Sequence, residues 1–172
     1  FGELTYDLTE TTHLTGGVRF TSDRRAFTGI RRPVNQTVPA LIAAFTIARP
    51  DGSPLTDSVK YNKLTYRFAL RQELGENVNA YASFNRGIYA GHYGLNSDPR
   101  DPPVKPQTID AFEVGLKSQL LENMLRLNLS AFHYKIKGYQ VRGANPQGGN
   151  SSILLNATDV TSKGIEAEAE FA

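Results

Sequence analysis

Cysteine is absent from the 172 residues, which excludes a disulfide scaffold, thiolate metal sites and a cysteine nucleophile. A long apolar run is absent too. No charge-free stretch is longer than 33–48, which is interrupted by Asn35, Gln36 and Thr37, whereas a bilayer-spanning helix needs about 20 apolar residues. A transmembrane helix is thereby excluded. A transmembrane strand is not, because about 9–11 residues suffice and only alternate ones must be apolar. Charge of one sign is not in excess: 19 Lys+Arg against 17 Asp+Glu leave a net charge of +2, with no run of like charge to favour nucleic acid. No G-x-S-x-G, H-E-x-x-H or phosphate-loop pattern occurs. His13, His92 and His133 lie in different stretches, with no acidic pair at matching spacing. No metal, cofactor or enzymatic role is therefore expected. An initiator Met and a signal-peptide pattern are missing as well, and the chain is expected to be a mature segment or a piece of a larger protein.

The chain does have a period of two. In Leu64–Arg71, Leu64, Tyr66, Phe68 and Leu70 share one face, while Thr65, Arg67 and Arg71 share the other. Leu125, Leu127 and Leu129 alternate with Arg126, Asn128 and Ser130. Ile165, Ala167, Ala169 and Phe171 alternate with Glu166, Glu168 and Glu170. The pattern predicts an all-β chain of about seven long strands, near 1–9, 13–27, 63–74, 78–90, 108–120, 124–141 and 154–171. Strand 124–141 changes parity, because Phe132, Tyr134 and Ile136 are even where the leucines are odd. Either a β-bulge near Ala131 restores the face, or the upper strand carries aromatics on both faces.

The connections sort by length. Residues 10–12, 75–77 and 121–123 make tight turns, while 28–62, 91–107 and 142–153 are long and rich in Pro, Gly, Asn and Asp. In an antiparallel up-and-down meander all the short connections then fall at one end, as in outer-membrane barrels. Alternation alone leaves two readings open. A soluble small-molecule-binding barrel would bury the leucines, and a membrane barrel would turn them toward lipid. Within the first long connection, 40–48 reads as a lining for an apolar substrate or as a short strand or turn, with a further turn at Asp51-Gly52.

Four stretches carry a resemblance to a known family. They are HLTGGVRFTSDRR at 13–25, KLTYRFALRQELGENVNAYASFNRGIYAGHYG at 63–94, PPVKPQTIDAFEVGLKSQLLENMLRLNLSAFHYKIKGYQV at 102–141 and LLNATDVTSKGIEAEAEF at 154–171. In this order and spacing they resemble the barrel of TonB-dependent outer-membrane receptors. The resemblance covers residues 1–172 as part of the barrel domain, without the family's N-terminal plug and TonB box. It implies a segment of a 22-stranded transmembrane β-barrel in the outer membrane of a Gram-negative bacterium. The implied function is TonB-dependent uptake of siderophore-iron or another scarce nutrient. A small structural outer-membrane protein is the other membrane alternative.

The resemblance further implies partners: the plug of the same parent chain, TonB through the absent box, outer-membrane lipid and a small-molecule nutrient, with no nucleic acid. Leu4, Tyr6, Leu14, Phe20, Phe112 and Leu116 would then face lipid. Arg19, Arg67, Arg71 and Glu113 would face the lumen and its plug, with Arg126, Glu166, Glu168 and Glu170. Arg86, Tyr89, His92 and Tyr93, on the long-loop side, would either bind ligand or form an interfacial aromatic belt with a loop above it.

Overall fold

The computed structural model describes residues 1–30, 48–94, 102–144 and 152–171. Their strands are β1 (Gly2–Thr9), β2 (Thr12–Gly29), β3 (Leu55–Gly75), β4 (Val78–Tyr89), β5 (Gln107–Leu120), β6 (Leu125–Lys137), β7 (Gln140–Ala144), β8 (Ser152–Asn156) and β9 (Val160–Phe171). Seven of them form one antiparallel sheet in the order β1-β2-β3-β4-β5-β6-β9, and β7-β8 is a separate ribbon. The expected meander of seven long strands is present. Its turns at Glu10–Thr11, Glu76–Asn77 and Leu121–Met124 lie at one end, and the longer connections lie at the other. The last of these turns holds Leu121, Glu122 and Asn123 at positive φ, a conformation that hairpin turns select because it matches strand twist. The turn expected at Asp51-Gly52 forms, with Gly52 at φ 78° and its N–H donating to the Arg49 carbonyl. The apolar segment 40–47 lies outside the described residues.

Directly paired residues share a face, so the register sorts every side chain of the sheet. Leu14 pairs with Leu70, Phe68 with Phe84, Phe84 with Phe112, Leu116 with Leu129, and Leu129 with Ala167. Even positions of β1–β5 and odd positions of β6 and β9 therefore make one apolar face. The intervening positions make a polar face. Among the described residues no second layer covers the apolar face: Leu4, Phe20, Phe68, Leu129 and Ile165 are all exposed. Val104 is the one buried hydrophobic residue among those described. A soluble barrel would need these leucines packed against each other across a dry centre, and they are not.

Toward the long-connection end the two faces exchange character. Above Phe20 the apolar face of β2 continues as Ser22, Arg24, Ala26 and Thr28, and above Leu64 that of β3 continues as Asn62, Lys60, Ser58 and Thr56. On β6 it passes from Ala131 to His133, Lys135 and Lys137. Over the same rise the polar face gains Phe27, Val59, Tyr61, Ile109, Phe132, Tyr134 and Ile136.

The register settles one alternative that the sequence left open and departs from the sequence reading twice. First, β6 pairs without a register shift on either side, so no β-bulge exists near Ala131 and the aromatics do turn to the opposite face. Second, residues 55–62, read as connection, belong to β3, because its upper half inverts the polarity by which the lower half is recognised. Third, 124–141 and 154–171 are each interrupted. Gly138, at φ 64°, ends β6 and starts the β7-β8 ribbon, and residues 157–159 separate that ribbon from β9.

Candidate functional site

The polar face is hollowed. Thr5, His13, Arg67, Arg71, Tyr81 and Glu113, from five adjacent strands, line one depression of about 510 Å³. Arg19 and Arg67 line another of about 460 Å³, and Glu166 and Glu168 a third of about 530 Å³. Strand parity brings all eight residues expected on the lumenal side onto this one face: Arg19, Arg67, Arg71, Glu113, Arg126, Glu166, Glu168 and Glu170.

Cross-strand pairing sets their chemistry. Arg126 Nη1 donates to Glu170 Oε2 at 2.8 Å, and Asn128 Nδ2 to Glu168 Oε2 at 2.8 Å. Glu113 accepts two phenols, Tyr81 at 2.6 Å on Oε1 and Tyr134 at 3.1 Å on Oε2. Lys117 Nζ stands 5.4 Å from the centre of the Tyr81 ring, within cation–π range. The Tyr81 ring also covers Gly115, where an added Cβ would meet it at 2.6 Å. Near the short turns the His13 ring lies between Asp7 and Glu73, at 2.5 and 3.2 Å, and Glu73 also meets Arg71 at 3.4 Å. Arg19 and Arg67 form no ion pair among the described residues.

The four residues of the long-loop side are not all brought together. Arg86 lies on the other face, paired with Tyr66 and Asp110 and one step above Phe84. Its Nε and Nη2 donate to Asp110 Oδ1 and Oδ2, and its guanidinium lies 5.2 Å from the Tyr66 ring centre. Tyr89 meets His92 edge to face at 5.9 Å, and Tyr93 leans on Phe27 at 5.6 Å. Burial, followed by the nearby Asp57 carboxylate, pushes the Tyr93 phenol up to about 12.

Beneath the long connections lies a knot that periodicity does not reveal. Val104 N–H donates to the His92 carbonyl, and Tyr61 Oη donates to the Val104 carbonyl, both at 3.0 Å. Gly91 is buried against that same carbonyl, which leaves no space for a Cβ. Asn156 pairs with the Lys105 backbone through both ends of its amide, at 2.8 and 2.9 Å, and also donates to Gly138 O at 2.8 Å. Gln140 donates to Ala90 O and Lys105 O at 3.1 and 2.9 Å. Two amide side chains thus fix the β7-β8 ribbon to the segment that enters β5. The sequence signal for them was slight: an amide on each side of the ribbon, next to a strand break.

The whole chain, 1–172, matches the sequence pattern of the family described as "TonB dependent receptor-like, beta-barrel". Among solved structures, it is similar to the ferric yersiniabactin uptake receptor FyuA from Yersinia pestis, with a TM-score of 0.71 and 20% identity over 98% of this chain and 23% of that one. It is also similar to the ferric-catecholate import receptor Fiu from E. coli, with a TM-score of 0.64 and 21% identity over 96% of this chain and 24% of that one. The siderophore receptor PiuA from Acinetobacter baumannii gives a TM-score of 0.65 at 16% identity, over 96% of this chain and 21% of its own. The chain therefore spans about a quarter of the length of these structures, and the likeness is one of fold.

Proposed function

Because the chain belongs to the TonB-dependent receptor β-barrel family, a family of Gram-negative outer-membrane proteins, we propose that it forms part of the wall and external loops of an active transporter. The parent receptor takes up siderophore-iron or another scarce nutrient and is driven through TonB. The observation that carries this reading is a single sheet layer with an uncovered apolar face and a hollowed, charged opposite face. Hydrocarbon solvates the first without an internal core, and only a closed barrel leaves no sheet edge unpaired within it.

The polar face supplies the wall against the plug of the same parent chain. Arg19 and Arg67 offer guanidiniums for plug carboxylates, and the Tyr81–Glu113–Tyr134 group is a prearranged polar contact. External ligand contacts fall to Tyr89, His92 and Tyr93, above the knot at Val104. Arg86 acts at the membrane side instead. No step here makes or breaks a covalent bond, since the energy comes from TonB.

The test uses the full-length parent. Cells carrying it should take up a labelled ferric siderophore, or grow on the cognate nutrient, only with TonB and an energised inner membrane. Uptake that persists at full rate without TonB overturns the proposal. So does a parent protein that partitions into buffer without detergent.

A further inference from the structure

The β4-β5 ladder ends with Tyr89 opposite Gln107. The same register carried outward sets Ala90 opposite Pro106 and His92 opposite Val104, and Val104 N–H does donate to the His92 carbonyl at 3.0 Å. Hydrogen-bonded pairs alternate along an antiparallel ladder, so Ala90 and Pro106 form the next such pair below. Pro106 has no N–H to give. The Ala90 carbonyl therefore lacks its ladder donor, and Gln140 Nε2 stands in that place at 3.1 Å.

Lys105, between these two pairs, turns its backbone groups away from β4. The strand that would flank them, β6, ends at Lys137, opposite Thr108. Asn156 takes its place: Oδ1 accepts from Lys105 N–H at 2.8 Å, and Nδ2 donates to Lys105 O at 2.9 Å. Gln140 and Asn156 lie directly opposite each other at the base of the β7-β8 ribbon. Gln140 Nε2 reaches Lys105 O as well, at 2.9 Å, and Gln140 N–H is held by Gln107 Oε1 at 2.9 Å. The buried Gln140 Oε1 accepts from no described residue, so this amide serves as a donor alone. One base pair of the ribbon thus replaces ladder bonds on both sides of the segment that enters β5.

We infer that Gln140 and Asn156 are positioning residues for the external contact segment Tyr89–Tyr93. They carry the β4-β5 pairing past Pro106, so the docking of the β7-β8 ribbon and the order of that segment are a single equilibrium. Gln140 acts on the β4 side, through the Ala90 carbonyl. Asn156 acts on the ribbon side, through Lys105. A restraint shared by two sites couples them in both directions: a molecule held by Tyr89, His92 and Tyr93 steadies the ribbon, and a steadied ribbon tightens that contact. The inference rests on the reading above only in assigning ligand contacts to these three residues.

The experiment measures amide hydrogen exchange in the full-length parent receptor in a nonionic detergent, with gel mobility of the unheated barrel confirming that each variant is folded. Gln140→Ala should speed exchange of Val104 N–H about tenfold, since two hydrogen bonds are removed beside it. Gln140→Glu should do the same, because its carboxylate sets an acceptor against two carbonyls. Pro106→Ala supplies the missing N–H, so adding it to Gln140→Ala should return Val104 to near its native rate. Asn156→Ala should speed exchange at Lys105 N–H, and Pro106→Ala should not correct that. Unchanged Val104 exchange in Gln140→Ala overturns the inference, and so does a Pro106→Ala/Gln140→Ala receptor that exchanges as fast as Gln140→Ala alone. In cells, Gln140→Ala should raise the half-saturating concentration of the labelled ferric siderophore used above about tenfold at an unchanged maximal rate. Pro106→Ala should restore it, and an unmoved half-saturation overturns the link to the contact segment. Uptake absent from native and variant cells alike counts against the transporter reading alone, and exchange still decides the role of the two amides.

Discussion

Arg86 and Asp110 face each other across β4 and β5 and close a two-pronged bridge, Nε to Oδ1 at 2.5 Å and Nη2 to Oδ2 at 2.6 Å. The pair sits on the apolar face, one outward step above Phe84 and Phe112. Charge is tolerated there because both groups are paired and because the strand is leaving hydrocarbon. Arg86→Met should destabilise the parent barrel by about 2 kcal/mol, since it strips a half-buried carboxylate of its main partner. The double variant Arg86→Met/Asp110→Leu should cost less than that single change. Urea unfolding in vesicles measures both, and a double variant at least as damaged as Arg86→Met refutes the coupling.

Neighbouring residues on β6 should respond oppositely to the same substitution. Leu127 faces outward between Ser118 and Ala169, whereas Asn128 faces Glu168 on the polar side. Leu127→Arg should cost roughly 2–4 kcal/mol near the bilayer midplane. Asn128→Arg should stay within about 0.5 kcal/mol, with Glu168 as its new partner. Folding yields into lipid vesicles discriminate the two, and equal damage would reverse the assignment of faces.

Gly115 is required by its neighbour rather than by its backbone. A Cβ there would stand 2.6 Å from the Tyr81 ring, whose hydroxyl donates to Glu113. Gly115→Val should cost about 1–3 kcal/mol through this overlap. Adding Tyr81→Ala should recover part of that loss, as measured by the midpoint of urea unfolding. No recovery would mean that the ring is not what excludes the side chain.

Alkaline titration should single out Tyr93. Its ionisation is raised to about 12, so the folded protein holds the neutral phenol while an unfolded chain ionises near 10. The stabilising contribution is complete below about pH 10 and is lost as pH climbs from there through about 12. The absorbance difference at tyrosinate wavelengths between native protein and Tyr93→Phe should be small at pH 11 and grow near pH 12. A full tyrosinate signal already present at pH 10.5 contradicts it.

The lower halves of the strands were legible in the sequence because there each local pattern reports its surroundings directly. Leu64-Thr65-Tyr66-Arg67 has one medium on each side, and a period of two is the only way to satisfy both. The upper halves were not. Thr56, Ser58 and Lys60 face outward while Val59 and Tyr61 face the loop bases, so the pattern is the reverse of the one below it. Read locally, such a segment resembles a connection. The knot of Gly91, Val104, Gln140 and Asn156 was invisible for another reason: it joins residues up to about 50 positions apart that share no period.

The sequence by itself determined that the chain alternates, where it turns tightly, which end carries the long connections and which family it resembles. These follow from local steric preference and the spacing of apolar residues. Only the tertiary structure decided which face Arg86 occupies, and that Phe132 and Tyr134 turn to the face of Glu113 without a bulge. The reason is that a side chain's face is set by strand register and by the medium at its height along the barrel wall. Neither quantity is stored in the residues immediately before and after it.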